Sequence, residues 1–460
     1  MRPFGKGQIL ETELAVLIRT FRRLLRRRAR ANLAKLIHKT HPTDLSLLFR
    51  QFVPNERGQV FDLIKKTEIV GEFLSELDTS IVQEILEPFE PAEVAKFLEE
   101  VSSDDMADIL NLLPEEKASA ILKLLKREES EELEELMAYP ADTAGGIMSV
   151  DPFSLNENTK AIDAIKAIQT SEEAEMVFYL YVTDEFDRLT GVVSLRDLVT
   201  FQPSTELKSI MITDVISVAP ETDQEEVARL VSKYNLLAIP VVDSDGSLLG
   251  IVTVDDVVDV IREEATEDFL RMAGVGKDRE ILLKSTLESV KLRLPWLFAT
   301  WIGGIVVVWV SGYFESVLNF IAIVAFIPVI IGMGGNVGTQ STIIIVRGFA
   351  TGRIHLGQVG KTIMKEIRIG LILGIFYGIL LGIVASLKFI DAPPRLGLVV
   401  GLAICASMFI ATTFGTIVPI LLRKLDVDPA IASGPFVTTS TDLFGIVIYF
   451  LIATSLLTTI

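Results

Sequence analysis

The chain has 460 residues, half of them hydrophobic, and a mean hydropathy of +0.45, too apolar for an ordinary soluble protein. Its net charge of −18 divides into unlike blocks: residues 1–40 hold 11 Lys and Arg against 2 Asp and Glu, residues 41–280 hold 20 against 52, and residues 281–460 hold 12 against 7. So acidic a middle block repels nucleic acid and attracts cations, and the lone cysteine, Cys405, excludes a disulfide framework and a Cys-based zinc site.

The start, MRPFGKGQILETELAV, has no apolar run with a cleavage site, so nothing in it suggests secretion. RTFRRLLRRRAR (19–30) reads as a basic helix within a basic N-terminal arm, residues 1–40, suited to anionic lipid or to the acidic region behind it. Residues 41–138 read as a helical-repeat domain. The segments 41–64, 77–98 and 102–125 each open on an acidic residue, continue with Leu/Ile pairs at helical spacing, and place proline at the start of the next helix. Asp104 and Asp108 stand four apart in DDMAD, on one helix face, where like charges repel unless a cation lies between them. Taken alone the pair reads as a solvated face.

YPADTAGGIMS (139–149) is a Gly-rich break, followed by a duplication. Residues 146–165 align with 209–228, and GVVSLRDLV (191–199) with GIVTVDDVV (250–258). Each copy reads strand, helix, strand, turn, strand, helix, and each resembles a CBS domain: the first over 139–203, the second over 204–262. That resemblance implies an α/β pair regulating an attached protein. It also makes Ser194, Asp197, Thr253 and Asp256 candidate contacts for ATP or another adenine nucleotide.

The second copy runs into an acidic connecting helix, 263–293. Asp256, Asp259 and Glu263 follow helical spacing, as do Glu264, Glu267 and Asp268. Five apolar stretches then follow within 294–460, near 295–314, 317–345, 367–390, 396–422 and 432–458, each long enough to cross a bilayer. Glycines in the second predict a tilted or broken helix. Basic residues concentrate before the first and after the second and fourth, which places the N-terminal domains in the cytoplasm and the C-terminus outside. The plasma (inner) membrane is the simplest location. Asp442, in PFVTTSTD, lies inside the last stretch with no Lys or Arg there. A carboxylate at mid-span costs roughly 2.5–3.5 kcal/mol and marks a functional residue by default. The surrounding Gly434, Pro435 and Thr438–Thr441 predict an irregular helix beside a polar cavity. His38, His41 and His355 lack ligand spacing, and no nucleophile–base pair or phosphate loop points to an enzyme.

GMGGNVGTQS (332–341), PFVTTSTD, the tandem CBS pair, and EEATEDF (263–269) continuing to RLPWL (293–297), in this order, resemble the MgtE family of magnesium channels. The resemblance implies a multidomain fold: an α-helical superhelical N domain, an α/β CBS pair and an all-α transmembrane domain with five spans. It implies a homodimer in the lipid bilayer that imports Mg2+ and is closed by cytosolic Mg2+. The pore residues would be Asp442, Asn336 and Thr438. The regulatory carboxylates would be Asp104, Asp108, Asp223, Glu225, Asp256, Asp259, Glu264, Glu267 and Asp268. Asn235 and Gly434 depart from the family's pattern, which has an acidic residue at the first and Asn in some members at the second. The residues leave open another divalent cation, and a membrane-bound magnesium or nucleotide sensor without transport.

Overall fold

Proline suits the first turn of a helix because its missing N–H has no intrahelical partner there and its φ is already helical. Pro42, Pro54 and Pro91 all take that position. The computed structural model describes residues 11–99, 101–150, 152–170, 179–275, 286–314, 321–390, 393, 395–425, 427–432 and 435–457. It divides into two units, Met1–Ile261 and Arg262–Ile460.

Among its described residues, the first unit begins with ten helices: α1 (Glu11–Arg26), α2 (Arg30–Lys39), α3 (Pro42–Arg50), α4 (Pro54–Ile64), α5 (Val70–Ser75), α6 (Thr79–Leu86), α7 (Pro91–Leu98), α8 (Ser103–Asn111), α9 (Glu115–Leu122) and α10 (Arg127–Leu136). Alternate helices pack, α3 on α5, α5 on α7 and α7 on α9, with α2, α4 and α6 forming the other row. The result is a superhelix whose interior is a run of phenylalanines. The Phe49 and Phe73 rings meet edge-on with centroids 5.1 Å apart, and Phe61, Phe89 and Phe97 continue the series. Edge-to-face packing of this kind contributes about 0.5–1.5 kcal/mol per pair beyond area burial.

Within the expected N-terminal arm, residues 11–39 carry α1 and α2, which pack on this superhelix. Leu14, Leu17, Ile18, Phe21, Leu24 and Leu25 recur at helical spacing beneath the arginines. They seat α1 on α2, α3 and α4. Phe21 is fully buried, with its ring 5.8 Å from Phe52, and Arg22 Nε lies 3.3 Å from Glu56 Oε2.

The duplicated region forms two small sheets. In the first copy β1 (Ser154–Asn156) runs parallel to β2 (Tyr179–Thr183), which pairs antiparallel with β3 (Leu189–Ser194); α11 (Ala161–Thr170) and α12 (Leu195–Thr200) accompany it. In the second, β4 (Ala238–Val242) pairs antiparallel with β5 (Leu248–Thr253), with α13 (Gln224–Tyr234) and α14 (Val254–Met272). The copies exchange their leading residues. Ser149 exchanges both backbone bonds with Ile251 of the second sheet, and Ile212 does the same with Val192 of the first. Each sheet is therefore completed by chain that precedes the other copy's helix, which no division of the sequence at a single point expresses. The second copy shares its apolar core with the helical superhelix, whereas the first has a core of its own around Leu180, Val182 and Val193.

Helix α14 continues without interruption through Glu263 to Met272, so the expected start of the connector falls inside a helix. Residues 276–285 of the connector lie outside the described residues.

Among the described residues, the second unit contains five helices long and apolar enough to cross a membrane. In order they are Thr286–Gly312, Ile327–Ala350, Val359–Lys388, Leu396–Lys424 and Pro435–Leu457, here called spans one to five. The second stretch is broken, as expected, but the break falls after the short helix Ile321–Val324, and the helix is continuous through the glycines. The fifth is one helix from Pro435, not an irregular segment.

Its threonines are accommodated without unwinding: Thr441 Oγ1 donates to the Thr438 carbonyl at 2.9 Å. Spans three and four lie closest. A Cβ added to Gly378 would stand 2.7 Å from the Gly401 carbonyl oxygen, and one added to Gly401 would stand 2.7 Å from that of Gly378. Only glycine permits that approach, and such small-residue faces drive helix association where lipid offers no hydrophobic contrast. The outer face of span one, including Trp301 and Trp309, is exposed.

Candidate functional site

Two acidic helix starts meet in the first unit. Ser103, in the first turn of α8, fixes one: its Oγ accepts the Val150 N–H at 3.2 Å and lies 3.4 Å from Ser149 Oγ. Thr253 fixes the other at the start of α14, its hydroxyl donating to Asp256 Oδ2 and to Asp255 Oδ1. Asp104 and Asp105 of α8 and Asp255 and Asp256 of α14 thereby share one electrostatic neighbourhood. Burial, reinforced by the Asp104 charge, pushes Asp256 up to about 7. Burial and the Asp104 charge likewise push Asp105 up to about 6. Asp104 is raised mainly by burial, with Asp255 adding to it and hydrogen bonds from Ser102 and nearby backbone opposing it.

Asp104 Oδ1 is buried with no hydrogen-bond partner among the described residues. An orphaned carboxylate oxygen facing other carboxylates is a donor set suited to a hard cation with oxygen ligands. Among the described residues, however, no group of three or more acidic, His or Cys side chains is gathered tightly enough to hold a metal ion. Asp105 and Asp255 are additions to the expected set. The four-residue spacing singles out Asp104 with Asp108, yet Asp108 is exposed while Asp105 is partly buried.

The other expected regulatory residues are dispersed. Asp223 caps α13, its Oδ1 accepting the Glu225 N–H at 2.8 Å. Asn235, the departure from the family pattern, ends that helix in the left-handed conformation with φ of 53°, a conformation asparagine tolerates better than most residues. Asp259 is exposed on α14. Within the second unit, Glu264, Glu267 and Asp268 follow on the same helix, where Arg271 pairs with Glu267 and with Asp428. Burial raises Asp268, the neighbouring Glu264 adds to that, and Arg271 and Arg347 counter it. Asp428 is a functional candidate the sequence reading did not single out; it lies in a loop and shows its place only through Arg271.

The candidate nucleotide residues are paired locally in both CBS copies. Ser194 Oγ caps α12 by accepting the Asp197 N–H at 3.1 Å and donates to Asp197 Oδ2 at 2.7 Å. Thr253 likewise donates its hydroxyl to Asp256 Oδ2, but there the carboxylate accepts the Thr253 backbone N–H, at 3.3 Å. The shared motif is thus a helix start at which the hydroxyl of the first residue bonds the carboxylate three residues on.

In the membrane unit, Asp442 on span five is half-buried and has no Lys or Arg partner among the described residues. It lies against the glycine face of span two, where a Cβ added to Gly335 would stand 3.6 Å from its Oδ1. One turn on, a Cβ added to Gly338 would meet Thr441 Cγ2 at 3.1 Å. Asn336 is exposed on the surface of the single chain, and Thr438 is half-buried on span five. Gly434 lies outside the described residues. A second carboxylate of this unit is fully enclosed: Glu366 of span three is 4 % exposed and accepts the Ser341 hydroxyl of span two at 3.0 Å. In the sequence it is hidden among Lys361, Lys365 and Arg368. The signal is its spacing, since Glu366, Gly370, Gly374, Gly378 and Gly382 recur every fourth residue along the face that packs on span four.

Three family models match, in the order of the units described. The MgtE intracellular N domain matches residues 40–142, the CBS domain matches 144–204 and 207–263, and MgtE, a divalent cation transporter, matches 327–452. The magnesium transporter MgtE of Bacillus subtilis is 40% identical over 328 residues, 71% of this chain and 72% of that protein. The chain belongs to the MgtE family. A second member, the magnesium transporter MgtE of Thermus thermophilus, is 40% identical over 331 residues, 71% of this chain and 72% of that one. The crystal structure of the cytosolic domain of the Mg2+ channel MgtE in complex with ATP is similar, with a TM-score of 0.50 and 36% identity. It covers 53% of this chain and 99% of that one.

Proposed function

We propose that this MgtE-family chain carries Mg2+ across a membrane into the cytoplasm, as a homodimer, with Asp442 as the carboxylate that meets the ion. The observation that carries the reading is Asp442 itself: a half-buried carboxylate without a basic partner among the described residues, set against a glycine wall on a neighbouring span. Magnesium sheds water reluctantly, so one carboxylate with nearby carbonyl and hydroxyl oxygens suits a hydrated ion better than a tight cage would. Thr438 and the exposed Asn336 supply such oxygens, the latter on a surface a second copy can complete. The basic residues concentrated in alternate loops support N-terminal domains in the cytoplasm and a C-terminus outside.

Cytosolic Mg2+ regulates the pore through the acidic domains. At low Mg2+ their carboxylates repel one another. A divalent cation held by Asp104 with Asp256, and others along Asp108, Asp223, Glu225, Asp259, Glu264, Glu267 and Asp268, relieves that repulsion and favours closure. Two unit charges about 4 Å apart interact by ~4 kcal/mol at an effective dielectric near 20. A few such relieved repulsions suffice for the ~5.5 kcal/mol that takes a two-state equilibrium from mostly open to mostly closed. The ATP complex of the related cytosolic domain supports an adenine nucleotide at Ser194 with Asp197 or Thr253 with Asp256.

The test is flux into proteoliposomes, wild type beside Asp442→Ala, with the cytoplasmic face at low and then millimolar Mg2+. Wild-type flux that internal Mg2+ suppresses, with little or none in the variant, is the expected result. Equal flux in both proteins removes Asp442 from the pathway, and no flux in either, with folded protein, leaves a sensor without transport.

A further inference from the structure

Glu366 has no part in the scheme above, and its surroundings give it one. The first three turns of span three carry Lys361, Lys365 and Arg368, of which all three are exposed, while Glu366 alone among these charges points inward. It accepts the hydroxyl of Ser341, itself 3 % exposed, at 3.0 Å. Around that bond the three-helix junction is polar and tight. Thr342, next to Ser341, donates to the Gly415 carbonyl of span four at 2.9 Å, and Thr416 is fully buried there.

Ser341 also lies one turn beyond Gly338 and two beyond Gly335, the positions that face Thr441 and Asp442. Along a helix the six residues from Gly335 to Ser341 rise only about 9 Å. The bond therefore fixes the rotation and depth of the part of span two that walls the Asp442 carboxylate.

We propose that Glu366 is a positioning residue for permeation, anchoring span two through Ser341 so that the Gly335–Gly338 face is held beside Asp442. This rests on the reading of Asp442 as the ion-facing group. The anchor needs a hydrogen-bond acceptor at Glu366 and a donor at Ser341; it does not need the charge to reach the ion. Its loss lets span two rotate or slide against span five, which alters how Asp442 and its neighbours receive the ion before it alters whether the protein folds.

The experiment uses the full chain in proteoliposomes at low internal Mg2+, reading half-saturating external Mg2+ and maximal flux per incorporated protein. The variants are Ser341→Ala, Glu366→Ala and Glu366→Gln. Ser341→Ala and Glu366→Ala are expected to raise half-saturating Mg2+ about 3- to 10-fold, the size of one lost buried hydrogen bond. Glu366→Gln, which keeps an acceptor, is expected within about twofold of wild type on the same reasoning.

If Ser341→Ala and Glu366→Ala lower only the amount of folded protein and leave half-saturation unchanged, the bond is packing alone and the proposal fails. It also fails if Glu366→Gln is as impaired as Glu366→Ala while Ser341→Ala is normal, because the charge would then be the active property. Should Glu366→Ala not fold, Ser341→Ala decides by itself. A wild type without flux overturns the transport reading, whereas a conducting wild type with unaltered variants overturns this inference only.

Discussion

Asp104, Asp105 and Asp256 carry a testable energetic signature. Burial and mutual repulsion raise them above the ordinary carboxylate value, Asp105 to about 6 and Asp256 to about 7. The folded chain therefore holds more protons than the unfolded chain from pH about 4 up to about 7. Stability contributed by this cluster falls as pH rises through that window and stays low above it. Without divalent cations, melting at pH 8 is expected below melting at pH 5.5, and added Mg2+ should raise the melting temperature more at pH 8, where protons no longer compete. Asp104→Asn removes the charge that acts on both neighbours. In EDTA at pH 8 it should raise the melting temperature, by about 2–4 °C per kcal/mol relieved, and shrink the Mg2+-induced rise. A lower melting temperature for the variant in EDTA would mean that Asp104 stabilises the fold through its hydrogen bonds. Asp104 and Asp256 were recognisable from helical spacing and family resemblance. Asp105 and Asp255 were not, because adjacent residues on a helix face different ways until another helix start is brought against them.

Among the helices, amphipathic spacing identified the superhelix, and its limit lay in the basic segment. Residues 19–30 present so many arginines that the apolar series through Phe21 reads as the minor face, yet that face decides where α1 packs. Helix start and stop signals worked where proline opened a helix and failed inside α14, since nothing local ends a helix merely because a domain does. In the membrane unit, the glycines of the second stretch point to a tilted or broken helix; the break lies ahead of them, and the glycines themselves serve close packing. Gly378 and Gly401 make this measurable. Gly378→Leu forces spans three and four apart and should cost about 1–3 kcal/mol or more, as overpacking does. Ile379→Leu, one residue along on an exposed face, should be nearly neutral. Thermal stability of the detergent-solubilised chain compares the two; equal losses would place the helix interface elsewhere.

For the molecule as a whole, charge separation is the organising property. The middle of the chain holds 52 acidic residues against 20 basic ones, beside a membrane region whose loops are basic. Regulation by cytosolic Mg2+ follows if relieving that repulsion biases the pore. Replacing both Asp259 and Glu264 with Ala, outside the Asp442 pathway, should therefore shift suppression of flux to higher internal Mg2+ by about tenfold, the equivalent of 1.4 kcal/mol, while flux at low internal Mg2+ stays near wild type. Unchanged suppression would take these two residues out of the sensor.

Much of this organisation can be read directly from the residues, because hydropathy, charge and repeat spacing are properties of contiguous chain. They suffice for five apolar spans, an acidic soluble region, a duplicated α/β unit and a lone carboxylate in the last span. Three features depend on segments far apart in sequence. The exchanged leading residues of the CBS copies require Ser149 to meet Ile251 and Ile212 to meet Val192. The acidic cluster requires two helix starts, at Ser103 and Val254, to face each other across the intervening chain. The Glu366–Ser341 bond exists only because glycines bring three helices close enough to enclose a carboxylate that, in sequence, stands among lysines and arginines. Burial and pairing are set by what the fold places opposite a residue, and that is why these features emerged only from the packed chain.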